Sequence, residues 1–330
     1  MENIMKWIPR AVLALVLSAA APGVNSEVPG GSFPSRPITI IVPYPAGAGT
    51  DATARIIARS MSERLRQPVV VQNRAGAAGI IGVDLVVKAP PDGYTLLLTT
   101  ANTLTSNVSL YKNLPYDPGA QLAPISLVGN VPVVLAAFRD VPANNAPELV
   151  ALAKAHPGKL TFGSAGNGTV LHLSGELFKS ATGTNIVHVP YKGIAPSVAA
   201  AAAGETQLVV ADLTTVEPMV QAKRLKILGN LGAVRSPLAP RIPIMADVGI
   251  EGVEVGAWSA MLAPAGTPET VMAVLGATLA DTLRSQDVRD NLLKIFVEPQ
   301  GSTPDQLRVL IDADTRKWRR VIAEAGIKID

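Results

Sequence analysis

Apolar strands alternate with amphipathic helices along this chain from residue 38 onward. The elements predicted first are a strand at 38–42, a helix that buries Ile57, Ala58, Met61 and Leu65, a strand at 69–71, a helix at 79–88 and a strand at 95–98. Strands that are almost continuously apolar, separated by amphipathic helices, are typical of a parallel sheet covered on both faces. Ligands of such sheets bind beyond the carboxyl ends of the strands.

The same plan recurs in the second half of the chain. Asn145 and Glu148 predict a capping box for a helix that runs to Ala155. A strand at 160–162 and the second glycine loop, residues 163–169, come next, and the helix after them carries Leu171, Leu173, Leu177 and Phe178. Strand, glycine loop and helix therefore occur once in each half, as two similar lobes facing a shared cleft require.

The C-terminal part of the chain is predicted to be helical. Thr267-Pro268 and Thr303-Pro304 each predict an N-cap followed by proline at the first helical position, and Gln306 extends the second into a capping box. An apolar stripe follows, made of Leu307, Leu310, Ile311, Trp318, Val321 and Ile322. We expect this segment to cross back to the first lobe.

Composition indicates an exported protein with a large core. The chain has 330 residues, 48% of them hydrophobic and 17% charged, which is enough for about two domains. Lys6 and Arg10 precede the apolar run 11–21 and small residues, so residues 1–26 predict a signal peptide cleaved between about residues 21 and 27. Because cysteine is absent, neither a lipid anchor nor a disulfide nor a thiol nucleophile is available. A freely diffusing periplasmic protein is expected.

The loop after the first strand is a candidate anion site. This first glycine loop, residues 44–51, contains Tyr44, Ala46, Gly47, Ala48, Gly49, Thr50 and Asp51. The free N–H groups and positive dipole end of a helix start favour a carboxylate or phosphate. The loop also fits a loose G-x-G-x-x-A dinucleotide fingerprint, but the next strand ends Gln72-Asn73-Arg74, without the acidic residue that holds a ribose. A small anion, a dinucleotide and a mere tight turn remain the alternatives here, and Asp51 either contacts the ligand or caps the helix.

Further candidate ligand contacts follow other strands. Thr100 and Asn102 lie just past the third strand, and Ser164, Gly166, Asn167, Gly168 and Thr169 form the second glycine loop. Ser164 does not lie in a G-x-S-x-G elbow, because Phe162 stands two residues before it. His172 either reaches the cleft or is a structural histidine. The histidines show no metal spacing, and scattered basic residues with only 4% aromatics do not favour nucleic-acid binding. We expect no metal and no cofactor.

Several of these motifs together resemble the periplasmic solute receptors of tripartite tricarboxylate transporters, the TctC-like or Bug receptors. The resemblance covers residues 37–329. Its stretches are Val42-Pro43-Tyr44-Pro45 with Gly47, Gly49, Thr50, Asp51 and Arg55; Asn73-Arg74 with Gly76, Gly79 and Gly82; Pro91 to Leu96; Asn113 to Asp117; Gly163-Ser164 with Gly166 to Thr169 and His172-Leu173; and His188 to Gly193.

The resemblance implies an α/β, two-lobed periplasmic-binding-protein (Venus flytrap) fold, type II-like, with two crossovers between the lobes. The first lobe would comprise 37–130 and 254–330, and the second lobe would comprise 131–253. The resemblance further implies a monomeric receptor without catalytic activity or cofactor, which captures a small carboxylated solute such as aspartate, glutamate, nicotinate or citrate for membrane transporter subunits.

The resemblance also implies which residues contact the solute. They are Ala46 to Asp51, Ser164 to Thr169, and Thr100, Asn102, Lys192 and Gly193 near the opening. This chain has Ala46 and Ala48 where the family often has proline and glycine. It has Ala211 at the usual acidic position, with Asp212 one residue later, so Asp212 is the candidate there.

Two other functions remain open at this point. A ligand-sensing subunit that docks onto a membrane sensor kinase would use the same pocket and differ only in its partner surface. An exported α/β enzyme would need a nucleophile or metal constellation that these residues do not supply.

Overall fold

The computed structural model describes residues 33–47 and 49–327 as a mixed α/β protein. The predicted signal peptide, residues 1–26, lies outside the described residues, as does Ala48. The strands are β1 (Ile38–Val42), β2 (Val69–Asn73), β3 (Thr95–Thr100), β4 (Leu122–Val131), β5 (Val133–Phe138), β6 (Thr161–Ser164), β7 (Val187–Pro190), β8 (Leu208–Asp212), β9 (Leu225–Asn230), β10 (Ala257–Pro264) and β11 (Glu298–Pro299).

The helices are α1 (Gly49–Leu65), α2 (Ile80–Val87), α3 (Ala101–Leu104), α4 (Ser106–Leu110), α5 (Pro118–Gln121), α6 (Ala146–Ala155), α7 (Val170–Thr182), α8 (Ile194–Ala203), α9 (Leu213–Gln221), α10 (Glu269–Arg284), α11 (Gln286–Lys294) and α12 (Pro304–Glu324). Short 3-10 turns cover Ala77–Gly79 and Met245–Val248. None of the helices in the described ranges combines the length and the apolar composition needed to cross a membrane.

The strands form two sheets, and five strands of each are arranged in the same way: β2-β1-β3-β10-β4 of the first sheet corresponds to β7-β6-β8-β5-β9 of the second. The first sheet runs β11-β4-β10-β3-β1-β2 and the second runs β7-β6-β8-β5-β9. In the first, β1 pairs in parallel with β2 and β3; in the second, β6 pairs in parallel with β7 and β8. β1 and β6 are thus flanked on both sides by later strands, which is where α/β sheets leave a crevice at the carboxyl ends.

Each sheet is completed by antiparallel strands from elsewhere in the chain. β10 pairs antiparallel with β3 and β4, and β5 pairs antiparallel with β8 and β9. The sheets are therefore mixed, and the parallel pairing expected from the apolar strands holds for the partners of β1 and of β6. Apolar runs of this length occur in any strand covered on both faces, so the pattern does not distinguish the two pairings.

The chain passes between the sheets at two places. Pro132 alone separates β4 of the first sheet from β5 of the second, and residues 231–256 lead from β9 back to β10. The last helix then spans both sheets. Leu307 near its start packs in a core with β3 and β10, whereas Trp318 and Val321 near its end pack with β5 and α7. The predicted single stripe of α12 therefore serves two cores.

The helix ends show which capping predictions hold. The capping box of Thr303 and Gln306 is confirmed, because each side chain bonds the backbone N–H of the other residue at 3.2 and 2.9 Å. The N-cap predicted at Thr267 is wrong: its hydroxyl donates to the Pro264 carbonyl at 2.8 Å, and α10 begins one residue later, after Pro268.

Candidate functional site

A buried carboxylate organises the first glycine loop. Asp51, in the first turn of α1, is 4% exposed. Its Oδ2 accepts hydrogen bonds from the Gly47 N–H at 2.9 Å and from Arg55 Nε at 3.0 Å, and its Oδ1 accepts one from Asn73 Nδ2 at 3.0 Å. Burial alone would raise the pKa of Asp51, but the bonds from Arg55, Gly47 and Asn73 outweigh it and hold the pKa below its usual value. Asp51 is ionised and fully engaged within the protein.

The Gly47 N–H, expected to face a ligand, is therefore used by the loop itself. Gly47 has φ +82°, a conformation that glycine adopts without a steric cost. Gly49 begins α1, and a Cβ added there would meet nothing within 4 Å. The space beside Gly49 is therefore open. The N–H groups of the first helical turn, at Gly49, Thr50 and Asp51, lack intrahelical partners.

Three polar side chains meet where β3 ends. The Tyr44 hydroxyl lies 2.6 Å from Thr100 Oγ1 and donates to Asn102 Oδ1 at 3.0 Å, and Thr100 also bonds Asn102. Burial raises the pKa of Tyr44 although its hydrogen bonds with Thr100 and Asn102 oppose the shift, so the phenol stays protonated. The Tyr44 carbonyl accepts from Asn73 Nδ2 at 3.1 Å. Asn73 therefore links the cluster of Tyr44, Thr100 and Asn102 to Asp51, because its Nδ2 donates to both the Tyr44 carbonyl and the Asp51 carboxylate.

The second glycine loop is closed by its own hydroxyls. Ser164, fully buried at the end of β6, accepts the Gly166 N–H at 3.2 Å, and its hydroxyl lies 2.7 Å from Nε2 of His188. Thr169 is the N-cap of α7: its hydroxyl accepts the His172 N–H at 3.3 Å and donates to the Gly166 carbonyl at 2.8 Å. Ser164 and Thr169 thus shape the loop.

The buried His172 contacts the second glycine loop directly. Its Nδ1 accepts the Gly168 N–H at 3.1 Å, and its ring stacks on His188 with centroids 3.8 Å apart. Burial lowers the pKa of His172 to about 4 and that of His188 to about 3, with the charge of Lys179 adding to the shift in both. Both rings are therefore neutral near pH 7, and the contacts of His172 are made with the loop and with His188.

The remaining predicted residues lie around this loop. The Gly193 N–H donates to the Ala165 carbonyl at 3.2 Å, and Lys192 and Asn167 are exposed. Asp212 ends β8, the strand beside β6, and its Oδ1 caps α9 by accepting the N–H and the hydroxyl of Thr215, both at 2.8 Å. The structure thus assigns Asp212 a capping role at the same sheet edge as the loop.

The structure gathers the predicted residues into two groups. The first group lies at or beyond the carboxyl ends of β1 and β3 and comprises Tyr44, Ala46, Gly47, Gly49, Thr50, Asp51, Thr100 and Asn102. The second lies at or beyond the carboxyl ends of β6, β7 and β8 and comprises Ser164, Gly166, Asn167, Gly168, Thr169, His172, Lys192, Gly193 and Asp212. No hydrogen bond between described residues joins the groups. Ala48, also predicted, lies outside the described residues.

Two cavities lie away from both groups. One of about 290 Å³ is at the crossovers, where it is lined by Pro132, Asn230, Glu254 and Glu298 among others. The other, of about 760 Å³, lies between α1 and α11. None of the predicted site residues lines either cavity. Within the described ranges, no cluster of three or more histidine and acidic side chains is placed to hold a metal ion.

Arg55, Asn73 and His188 belong to the site but were not predicted as parts of it. Arg55 stands four residues after Asp51 on α1, a spacing that favours an ion pair and that was visible in the sequence. Asn73 and His188 act across strand pairings, at 22 and 24 residues from their partners Asp51 and Ser164. Local spacing carries no signal for such contacts.

The chain is similar in sequence to one family of transporter receptors. The sequence model of "TctC: Tripartite tricarboxylate transporter family receptor" matches residues 53–327. Protein BugT of Bordetella pertussis is 36% identical over 320 residues, which are 97% of this chain and 98% of BugT.

Solved structures show the same likeness. An R. palustris protein solved with adipate is 34% identical, with a TM-score of 0.79 over 90% of this chain and 99% of that one. MatC from Rhodopseudomonas palustris, solved with bound malate, is 30% identical, with a TM-score of 0.74 over 88% and 100% of the two chains. These relatives are solute-binding receptors rather than enzymes, and the family is periplasmic. The chain belongs to the tripartite tricarboxylate transporter receptor family, with the periplasmic-binding-protein fold that the resemblance implied.

Proposed function

We propose that this receptor captures a small dicarboxylate between its two glycine loops. The observation that carries the proposal is the repetition of one arrangement, a strand, a glycine loop and a helix start, at β1 and at β6 of two sheets with the same strand order. Each helix start supplies unpaired N–H groups and a positive dipole end. Two such ends suit a solute with a carboxylate at each end.

The solutes of solved relatives support this class. Adipate and malate, named for two R. palustris proteins that are 34% and 30% identical to this chain, are both dicarboxylates. In the first loop we propose contacts from the N–H groups of Gly49 and Thr50 and from the polar group of Tyr44, Thr100 and Asn102. In the second we propose contacts from Asn167, from the first turn of α7 and from the exposed Lys192.

We further propose that the two sheets are the centres of two lobes, the first made of 37–130 with 254–330 and the second of 131–253. The passages at Pro132 and at residues 231–256 support this division, because the chain changes sheet there. The C-terminal end of α12 packs on the core of the second sheet, so this helix would connect the two lobes. A solute bound to both loops would favour the closed arrangement of such lobes.

The setting of this activity is also part of the proposal. Residues 1–26 would direct export and be removed between about residues 21 and 27. The mature receptor would diffuse in the periplasm as a monomer and deliver its solute to the membrane subunits of a tripartite transporter, the partners that the family description implies.

Calorimetry at pH 7 tests the proposed solute class. The mature protein, unfolded and refolded to strip any retained solute, is titrated with adipate, malate, citrate, nicotinate and aspartate. For a dicarboxylate that binds, the matched control is its monoamide. The amide places an NH₂ against N–H donors and leaves them unpaired, so we expect at least a tenfold loss of affinity, about 1.4 kcal/mol. Equal binding of acid and amide would refute the carboxylate site.

A further inference from the structure

The second glycine loop rests on a pair of imidazole rings from different elements. His172 lies in the first turn of α7, and His188 lies on β7 opposite Phe162 in the strand pairing. The ring centroids of the two histidines are 3.8 Å apart and their planes differ by 14°. The Phe162 ring lies beside the pair, with its centroid 4.8 Å from that of His188 and 6.4 Å from that of His172. His172 is 5% exposed. His172 is therefore buried beneath the loop, and His188 beside it is half-buried.

Each ring is tied to the loop by one hydrogen bond. The Gly168 N–H donates to Nδ1 of His172 at 3.1 Å, and Ser164, which itself accepts the Gly166 N–H, lies 2.7 Å from Nε2 of His188. A ring nitrogen that accepts an N–H carries no proton. His172 must therefore be neutral, with its proton on Nε2.

The surroundings keep the pair neutral. The charged groups facing it are Glu176 and Lys179 of α7, whose carboxylate and ammonium pair with each other at 2.7 Å. The Nε2 of His172 is 3.7 Å from Glu176, too far for a hydrogen bond. From β7, only the uncharged His188 faces His172. Burial and Lys179 lower the pKa of both rings, so neither gains a proton near pH 7.

We propose that His172 is a positioning residue of the solute site: its bare Nδ1 orients the Gly168 peptide, and through that peptide it sets the shape of the loop that receives the solute. His188 keeps the His172 ring in place by stacking and holds Ser164 by its hydrogen bond. The loop is thus shaped before a solute arrives, and a solute need not order it on binding. This inference rests on the proposed function, because it concerns the same site.

Two variants of nearly equal shape separate the acceptor from the packing. Asparagine and leucine both replace the ring by a branched group, but only asparagine offers an oxygen near the position of Nδ1. We expect His172→Leu to weaken adipate binding about tenfold or more and His172→Asn to stay within about threefold of the unmutated protein. Equal losses in both variants would overturn the proposal, as would full binding by His172→Leu.

A measurement without solute tests the same hydrogen bond. The ¹⁵N spectrum of the histidine rings at pH 7 should show Nδ1 of His172 unprotonated, and a proton on Nδ1 would overturn the proposal. If His172→Leu does not fold, His172→Phe replaces it, since it keeps a stacked ring without an acceptor. If the unmutated receptor binds neither adipate nor malate, the proposed function fails with them, whereas the ring spectrum still decides whether His172 holds Gly168.

Discussion

The two glycine loops stand at equivalent positions of their sheets, yet opposite chemistry holds them. In the first, the ionised Asp51 accepts the Gly47 N–H and the side chains of Arg55 and Asn73. In the second, uncharged groups do the same work, because His172 accepts the Gly168 N–H and Ser164 accepts the Gly166 N–H. Both loops use their own acceptors to take up loop amides, so both are shaped by the protein rather than by a solute.

The difference lies in the charge left at each helix start. Asp51 places a negative charge in the first turn of α1, and this charge offsets the positive end of the helix dipole. The positive charge of Arg55, paired with Asp51, neutralises part of that negative charge. The first turn of α7 has no acidic residue, and its histidine is neutral. The second loop therefore offers an anion a less compensated helix end. Three experiments test this difference between the two loops.

Removing the carboxylate should have the largest effect. Asp51→Ala leaves the Gly47 N–H and one N–H of the Asn73 amide without an acceptor and removes the ion pair of Arg55, so we expect the free energy of unfolding to fall by about 3 kcal/mol. Urea denaturation at pH 7 measures it. Asp51→Asn, the matched control, keeps an acceptor and should lose about half as much. A loss below about 1 kcal/mol for alanine, less than one unsatisfied buried donor costs, would mean that other contacts hold the first loop.

Acid should weaken the second loop before the first. Unfolded histidines gain protons near pH 6.5, whereas folded His172 and His188 stay neutral down to about pH 4 and 3, so the unfolded state binds more protons in between. Stability therefore falls as the pH drops from 6.5. We expect the uptake of a proton by the unfolded form of the buried His172 to cost about 2 kcal/mol between pH 7 and pH 5, and the half-buried His188 to add less than that, because solvent screens its ring. Urea denaturation across this range measures the loss.

Variants of the two loops serve as controls for the pH dependence of stability, because the histidine variants should change it and an Asp51 variant should not. The lowered pKa of Asp51 keeps its contribution intact at pH 5, and it is lost only as the pH falls below about 4. The double variant His172→Asn, His188→Asn should flatten the profile between pH 7 and pH 5, whereas Asp51→Asn should leave its slope unchanged. A profile that stays equally steep in the double variant would show that other groups cause the acid loss.

Replacing one glycine in each loop by alanine should give the smallest difference in stability between the loops. Gly166 has φ +124°, and a Cβ there would lie 3.1 Å from the Tyr191 carbonyl oxygen, so Gly166→Ala should cost about 1–2 kcal/mol. Gly49 has open space around it, and Gly49→Ala should change stability by less than about 0.5 kcal/mol. Thermal denaturation of both variants compares them. Similar costs at the two sites would contradict the difference in loop packing.

Local patterns predicted the elements better than their assembly. The apolar run at Ile38–Val42 is confirmed as β1 with the predicted bounds, because its apolar side chains suit a strand that is buried on both faces. The capping box at Thr303 is confirmed because it depends on residues close together in the sequence. The pairing of β10 beside β3 was missed, since the two strands lie far apart in the sequence and their apolar patterns do not specify a direction.

The site shows the same division. The loops, their helix starts and the polar residues after β3 were all predicted from positions adjacent in the sequence. Which atoms engage one another was not: Gly47, expected to bind a solute, donates to Asp51, and His188 lies under a loop from which the whole of α7 separates it in the chain. Such contacts depend on strand register, so a shift of one position would move His188 to the other face of its sheet.

The sequence by itself determined the alternation of strands and helices, the two glycine loops at the ends of their strands, and the membership in a receptor family. The first two depend on residue types within one or two turns of chain, where side-chain period, capping and backbone geometry act directly. The third depends on motifs spread over residues 37–329. Only the tertiary structure decided that Asp51, Ser164 and His172 serve the loops themselves. A buried donor or acceptor must find a partner, and which partner is near is set by how distant strands pair.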